Sequence, residues 1–135
     1  MDTWRKRNVI ELMRKAYENG TVLAGNSSGA MCWFHFGCDD CGLDGGFMFI
    51  EGVDLFPYCF GPHFQNEKWH KFSERVKMQQ YDGIGVDDST AIVFNNGRVS
   101  IIKNDPKPEN SAYIMRASNN YELEDLGKIE GDFIL

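Results

Sequence analysis

The sequence predicts an α/β fold: a mostly parallel sheet flanked by helices, with a small antiparallel hairpin added late in the chain. Three observations carry that expectation. Short apolar runs alternate with a segment of helical periodicity, the pattern of a parallel sheet with helical crossovers. A turn rich in glycine and serine, "AGNSSGA", follows the apolar run "TVL" and leads into a second apolar segment. Asn95-Asn96-Gly97 stands between "TAIVF" and "RVSII", a strong hairpin signal.

The elements follow in order. Residues 3–19, "TWRKRNVIELMRKAYEN", put Val9, Leu12, Met13, Ala16 and Tyr17 at helical spacing, and Gly20 follows as a C-terminal cap. "TVLA" reads as a buried strand, and Ala30 to Phe34 as a short apolar helix leading out of the turn. Gly37 to Gly46 is loop. "LFPYCFGPHF" is a strand ending at Gly61-Pro62, because proline interrupts central pairing, and this leaves His63 at a strand end. A helix over about residues 67–80 precedes the strand Gly83 to Val86, which stops at Asp87-Asp88. After the hairpin, "KNDPKPENS" is surface loop and residues 112–117, "AYIMRA", add a strand. Neither a repeat nor a low-complexity linker interrupts the chain, so residues 1–135 read as one domain.

Composition narrows the function classes. The chain has 135 residues, 42% of them hydrophobic, enough for one modest core. Net charge is −6, with no basic run beyond Arg5-Lys6-Arg7, which argues against a nucleic-acid or anionic-membrane partner. No signal-peptide core opens the sequence and no apolar stretch approaches the ~20 residues that span a bilayer, so a cytoplasmic location is expected. Cys38-Asp39-Asp40-Cys41 is a C-x-x-C, and Cys32 and Cys59, with His35 as a substitute, could complete a zinc site. Against this, structural zinc sites come as two paired knuckles, and Cys32 and Cys59 stand alone. The two carboxylates inside the C-x-x-C also oppose thiolate formation. Ordinary reduced cysteines, with no metal and no cofactor, are the expectation.

Gly25-Asn26-Ser27-Ser28-Gly29 matches G-x-S-x-G, in which a strand turns sharply into a helix with the central serine held at the apex. Small residues on either side let strand and helix approach, and free N–H groups of the first helical turn can face an anion. Ser27 is then a candidate nucleophile and the Ser28 amide a candidate oxyanion donor. A nucleophilic serine needs a base, and the base needs an acceptor that fixes its tautomer. Ser27, His63 and the Asp87-Asp88 pair all fall at predicted strand ends, where ligands bind in such sheets. The order serine, histidine, acid differs from that of α/β-hydrolases, in which the acid comes second. It matches a glutamine-amidotransferase-like fold with serine in place of cysteine.

These blocks carry a family resemblance. "VLAGNSSGAM", then "VDLFPYCFGPHF", then "GIGVDDSTAIVFNNG" resemble peptidase E, the S51 family of α-aspartyl dipeptidases, over most of residues 4–102. The resemblance implies Ser27 as nucleophile, His63 as base, and Asp88 at the position where the family usually has glutamate, with Asp87 as the fallback. It implies hydrolysis of short peptides, with dipeptides bearing an N-terminal Asp as the expected substrates, through an acyl-enzyme and without a cofactor. Family members carry an N-terminal portion with the first strands and a glycine-rich loop, which this sequence is expected to lack. A homo-oligomer that completes the site or covers the sheet edge is therefore expected. Recognition of a substrate carboxylate needs a cation, and the segment after His63 offers Lys68, His70 and Lys71. Asp40 is a candidate contact for the substrate amine. A catalytically silent interaction module and a cysteine-based zinc protein are the alternatives.

Overall fold

The computed structural model describes residues 1–40, 46–65, 72–104 and 109–135. The N-terminal amphipathic segment forms two helices, α1 (Asp2–Lys6) and α2 (Val9–Glu18). The continuous helix expected over residues 3–19 breaks at Asn8, whose φ of 57° lies in the left-handed region that asparagine tolerates better than most residues. Gly20 ends α2 with a φ of 84°, its N–H bonded to the Tyr17 carbonyl.

Two short α-helices, two single-turn 3-10 helices (Ala117–Asn119 and Leu126–Lys128) and eight strands follow among the described residues. The α-helices are α3 (Ser28–Met31) and α4 (Phe72–Gln79). The strands are β1 (Phe34–Asp39), β2 (Met48–Glu51), β3 (Phe56–Pro62), β4 (Gly83–Val86), β5 (Thr90–Asn95), β6 (Arg98–Lys103), β7 (Ala112–Met115) and β8 (Leu123–Asp125). Six of them form one mixed sheet in the order β2-β1-β3-β4-β7-β8. The class is α/β, with the parallel pairings at its centre, where β3 lies between β1 and β4. Strands β2, β7 and β8 extend the sheet antiparallel on either side. Strands β5 and β6 are the anticipated hairpin, and Asn96 and Gly97 turn it with positive φ angles of 49° and 76°.

Three expectations are corrected. Residues 21–24 join no strand, and Val22 is 89% exposed. An apolar β-branched run becomes a strand only beside a partner, and both neighbours of β3 are already in place. The helix expected over residues 30–34 is confined to Ser28–Met31, because Phe34 opens β1 and stacks on Phe60 with ring centroids 4.4 Å apart. Gly37, Cys38 and Asp39, expected in a loop, belong to β1, which pairs with the unanticipated β2. Residues 41–45 of that expected loop lie outside the described residues, as do residues 66–71 at the start of the expected long helix.

The sheet buries a core on each face. On one, Met31, Phe34, Phe60, Ile84, Ile114 and Leu126 pack with Ile92, Phe94 and Ile101 of the hairpin. On the other, Cys38, Cys59 and Met115 lie with Phe72 and Val76 of α4. A fully buried Phe72 or Ile84 contributes roughly 1.5–3 kcal/mol each. Between these layers β3 and β4 run in register to Pro62 opposite Val86. The residues that leave the two strands, His63 and Asp87-Asp88, therefore emerge side by side.

Candidate active site

Ser27 stands immediately before α3 with φ 50° and ψ −121°, a conformation that costs a non-glycine residue about 1–3 kcal/mol. Gly25 permits the turn. A Cβ on it would lie 2.1 Å from the Gly29 carbonyl oxygen, so the first and last glycines of G-x-S-x-G are in backbone contact. Ser28 is the first residue of α3, where no intrahelical acceptor exists for its N–H.

His63 leaves β3 with a φ of 55°. Phe64, buried beyond it, pins this turn to the neighbouring strand: its N–H bonds the Val86 carbonyl at 3.1 Å, and its ring occupies the space a Cβ on Gly85 would need. The imidazole is thereby presented between two partners. Its Nε2 lies 2.9 Å from Ser27 Oγ, and its Nδ1 lies 2.5 Å from Asp88 Oδ1. The tautomer protonated at Nδ1 satisfies both, donating to Asp88 and accepting from the Ser27 hydroxyl. The side chains of His63 and Asp88 are 41% and 49% exposed, so a solute can reach the row.

Asp87 takes a different place. Its carboxylate accepts the Ser111 N–H at 2.9 Å and the Tyr113 hydroxyl at 3.3 Å inside the protein, and only 5% of the residue is exposed. Burial pushes this carboxyl above its usual range, and the Ser111 and Tyr113 bonds offset only part of that. The Tyr113 hydroxyl is in turn pushed up to about 12, by burial first and then by the charge of Asp87.

Two contributors escape a reading of the sequence. The Gln65 side chain bonds Asp88 twice, and Asn110 Nδ2 donates to the Asp88 carbonyl at 2.7 Å. Gln65 follows His63 by two positions, a spacing that could have suggested a shared target, whereas Asn110 sits in a stretch of loop composition that gives no signal. Asp40 is exposed just beyond the end of β1. Lys68, His70 and Lys71 lie outside the described residues.

The cysteines and His35 are otherwise engaged. Burial pushes the Cys38 and Cys59 thiols up to about 12. Cys32 donates to the Gly29 carbonyl at 3.0 Å, and His35 Nδ1 pairs with Asp54 at 2.9 Å. Among the described residues no three His, Cys, Asp or Glu side chains are grouped to hold a metal ion, and Cys41 lies outside them. Nor is any described helix long and apolar enough to cross a membrane.

The chain is similar to an uncharacterized peptidase, YgaJ, of Bacillus subtilis (strain 168), with 29% identity over 101 residues. The aligned region covers 71% of this chain but 42% of that relative, so the chain spans less than half the relative's length. The model of peptidase family S51 matches residues 1–102, and the chain belongs to that family.

Proposed function

We propose that the chain is a serine peptidase that hydrolyses short peptides, with dipeptides carrying an N-terminal Asp as the preferred substrates. The row Ser27, His63, Asp88, with contacts of 2.9 and 2.5 Å behind a strained serine, carries this reading. Ser27 Oγ attacks the peptide carbonyl while His63 Nε2 takes its proton, and Asp88 holds the imidazole and balances the imidazolium. The Ser28 N–H stabilises the oxyanion. His63 then returns the proton to the leaving amine, and water, activated by the same histidine, releases the acyl group. No cofactor enters this scheme. The preference for Asp rests on the family resemblance, with Lys68, His70 and Lys71 offered as cations for its side chain and Asp40 as a contact for its amine. Hydrolysis of Asp-X, Ala-X and Leu-X dipeptides by the wild type and by Ser27→Ala tests the reading: cleavage that vanishes in the variant is expected, and equal cleavage by both would refute it.

We also infer self-association. Helix α2 is amphipathic yet has no buried residue, and Val22, just before the elbow, is 89% exposed. Covering these residues with a second copy removes apolar surface from water. A monomer by light scattering at micromolar concentration would contradict it.

A further inference from the structure

We propose that Gln65 is a positioning residue, which locks the Asp88 carboxylate in the orientation that faces His63. The proposal rests on the Ser27-His63-Asp88 reading and deepens it.

The Gln65 amide meets Asp88 with both of its ends. Nε2 donates to Asp88 Oδ2 at 2.5 Å, and Oε1 accepts the Asp88 backbone N–H at 2.9 Å. Asp88 Oδ1 is left for His63 Nδ1. A single bond to Oδ2 would let the carboxylate swing about its side-chain torsions. A pair of bonds, one to the backbone and one to the side chain of the same residue, closes a ring and fixes those torsions. The Asp88 carbonyl is held separately by Asn110, so main chain and side chain are anchored together.

The geometry follows from the turn after β3. Phe64 is buried and tied to Val86, so the residues on either side of it, His63 and Gln65, both reach Asp88. One loop thus supplies the group that Asp88 orients and the group that orients Asp88. This matters because both His63 and Asp88 are more than 40% exposed, where water competes for every carboxylate bond. In a buried triad the surrounding packing fixes the acid; here a neighbouring amide supplies two bonds to it.

The test compares Gln65→Ala and Gln65→Glu with the wild type by peptide hydrolysis and by proton NMR of the His63 Nδ1–H. Gln65→Ala removes both bonds. Gln65→Glu keeps the shape and the acceptor but turns the donor into a second carboxylate facing Asp88. The wild type is expected to show a downfield, hydrogen-bonded Nδ1–H resonance, broadened by exchange in both variants. Each variant is expected to lose roughly tenfold to a hundredfold in kcat with KM and melting temperature little changed, the scale of a misplaced catalytic group. A role in packing alone would spare the isosteric Glu variant and the resonance. Variants with the wild-type resonance, or a wild type without it, would overturn the proposal. A wild type that hydrolyses no peptide would refute the peptidase reading alone, since the resonance is compared whether or not substrate turns over.

Discussion

His63 Nε2 lies 2.9 Å from Ser27 Oγ although 36 positions separate them in the chain. Neither residue is in a regular element. Ser27 is delivered by the strained turn into α3 and His63 by the left-handed residue after β3, so their meeting depends on two local distortions of backbone. Strain of this kind persists only where surrounding structure over-determines it. Here the contact between Gly25 and Gly29 and the burial of Phe64 do so.

Gly25→Ala is the most direct test of the elbow. Its Cβ would meet the Gly29 carbonyl at 2.1 Å, and the preceding segment, unpaired in any strand, can yield without opening either core. Hydrolysis is expected to fall at least about a hundredfold, as for a reacting atom displaced by an ångström, with only a small change in melting temperature. Retained activity with a large drop in stability would show that the glycine serves the fold instead.

Removing the acid separates Asp88 from Asp87. Asp88→Asn leaves the shape but no longer fixes the tautomer, and kcat is expected to drop by about 10²–10⁴. Asp87→Asn touches neither His63 nor Ser27 and is expected to leave kcat within severalfold of the wild type. Steady-state kinetics on the two variants decides between them.

Asp87 instead governs a pH dependence of stability. Its carboxyl is raised by burial in the folded state, so the folded protein binds this proton more tightly than the unfolded chain does. The stabilisation is present at low pH and lost as pH rises through the folded-state value. Asp87→Asn removes the buried charge, so its melting temperature relative to the wild type is expected to improve from pH 4 to pH 8. Thermal melts across that range would show a flat difference if burial of the charge were inconsequential.

The thiols give an independent check on the cores. Cys38 and Cys59 are fully buried and their thiols are pushed up to about 12 by burial. Neither is expected to be alkylated by iodoacetamide at pH 8 until the protein unfolds. Peptide mapping by mass spectrometry after timed labelling reads this; rapid modification of both in the native state would contradict the packing of β1 against β3.

Much of this arrangement is legible in the residues. The close approach at Gly25, the strands ending at His63 and Asp87, and the Asn-Gly turn each follow from a local rule, and each stands where expected. What is not legible depends on partners distant in sequence. "TVLA" has strand composition but finds no neighbour, whereas "FHFGCD", with a glycine and two polar residues, becomes β1 because β2 and β3 flank it. The different surroundings of Asp87 and Asp88 depend on alternation along a strand end: one residue turns inward to Ser111, the next outward to His63. Asn110 is invisible for a similar reason, since an asparagine in a loop has no pattern until its target is placed.

The central claim is that Ser27 is an activated nucleophile. A fluorophosphonate probe, with the labelled residue located by mass spectrometry, tests it without any assumption about the substrate. One equivalent of label on Ser27 is expected for the wild type, with labelling abolished in Ser27→Ala and slowed in His63→Gln. An unlabelled Ser27 in folded protein, or a label on another residue, would contradict it and leave the site as a relic on a protein that acts through its surfaces.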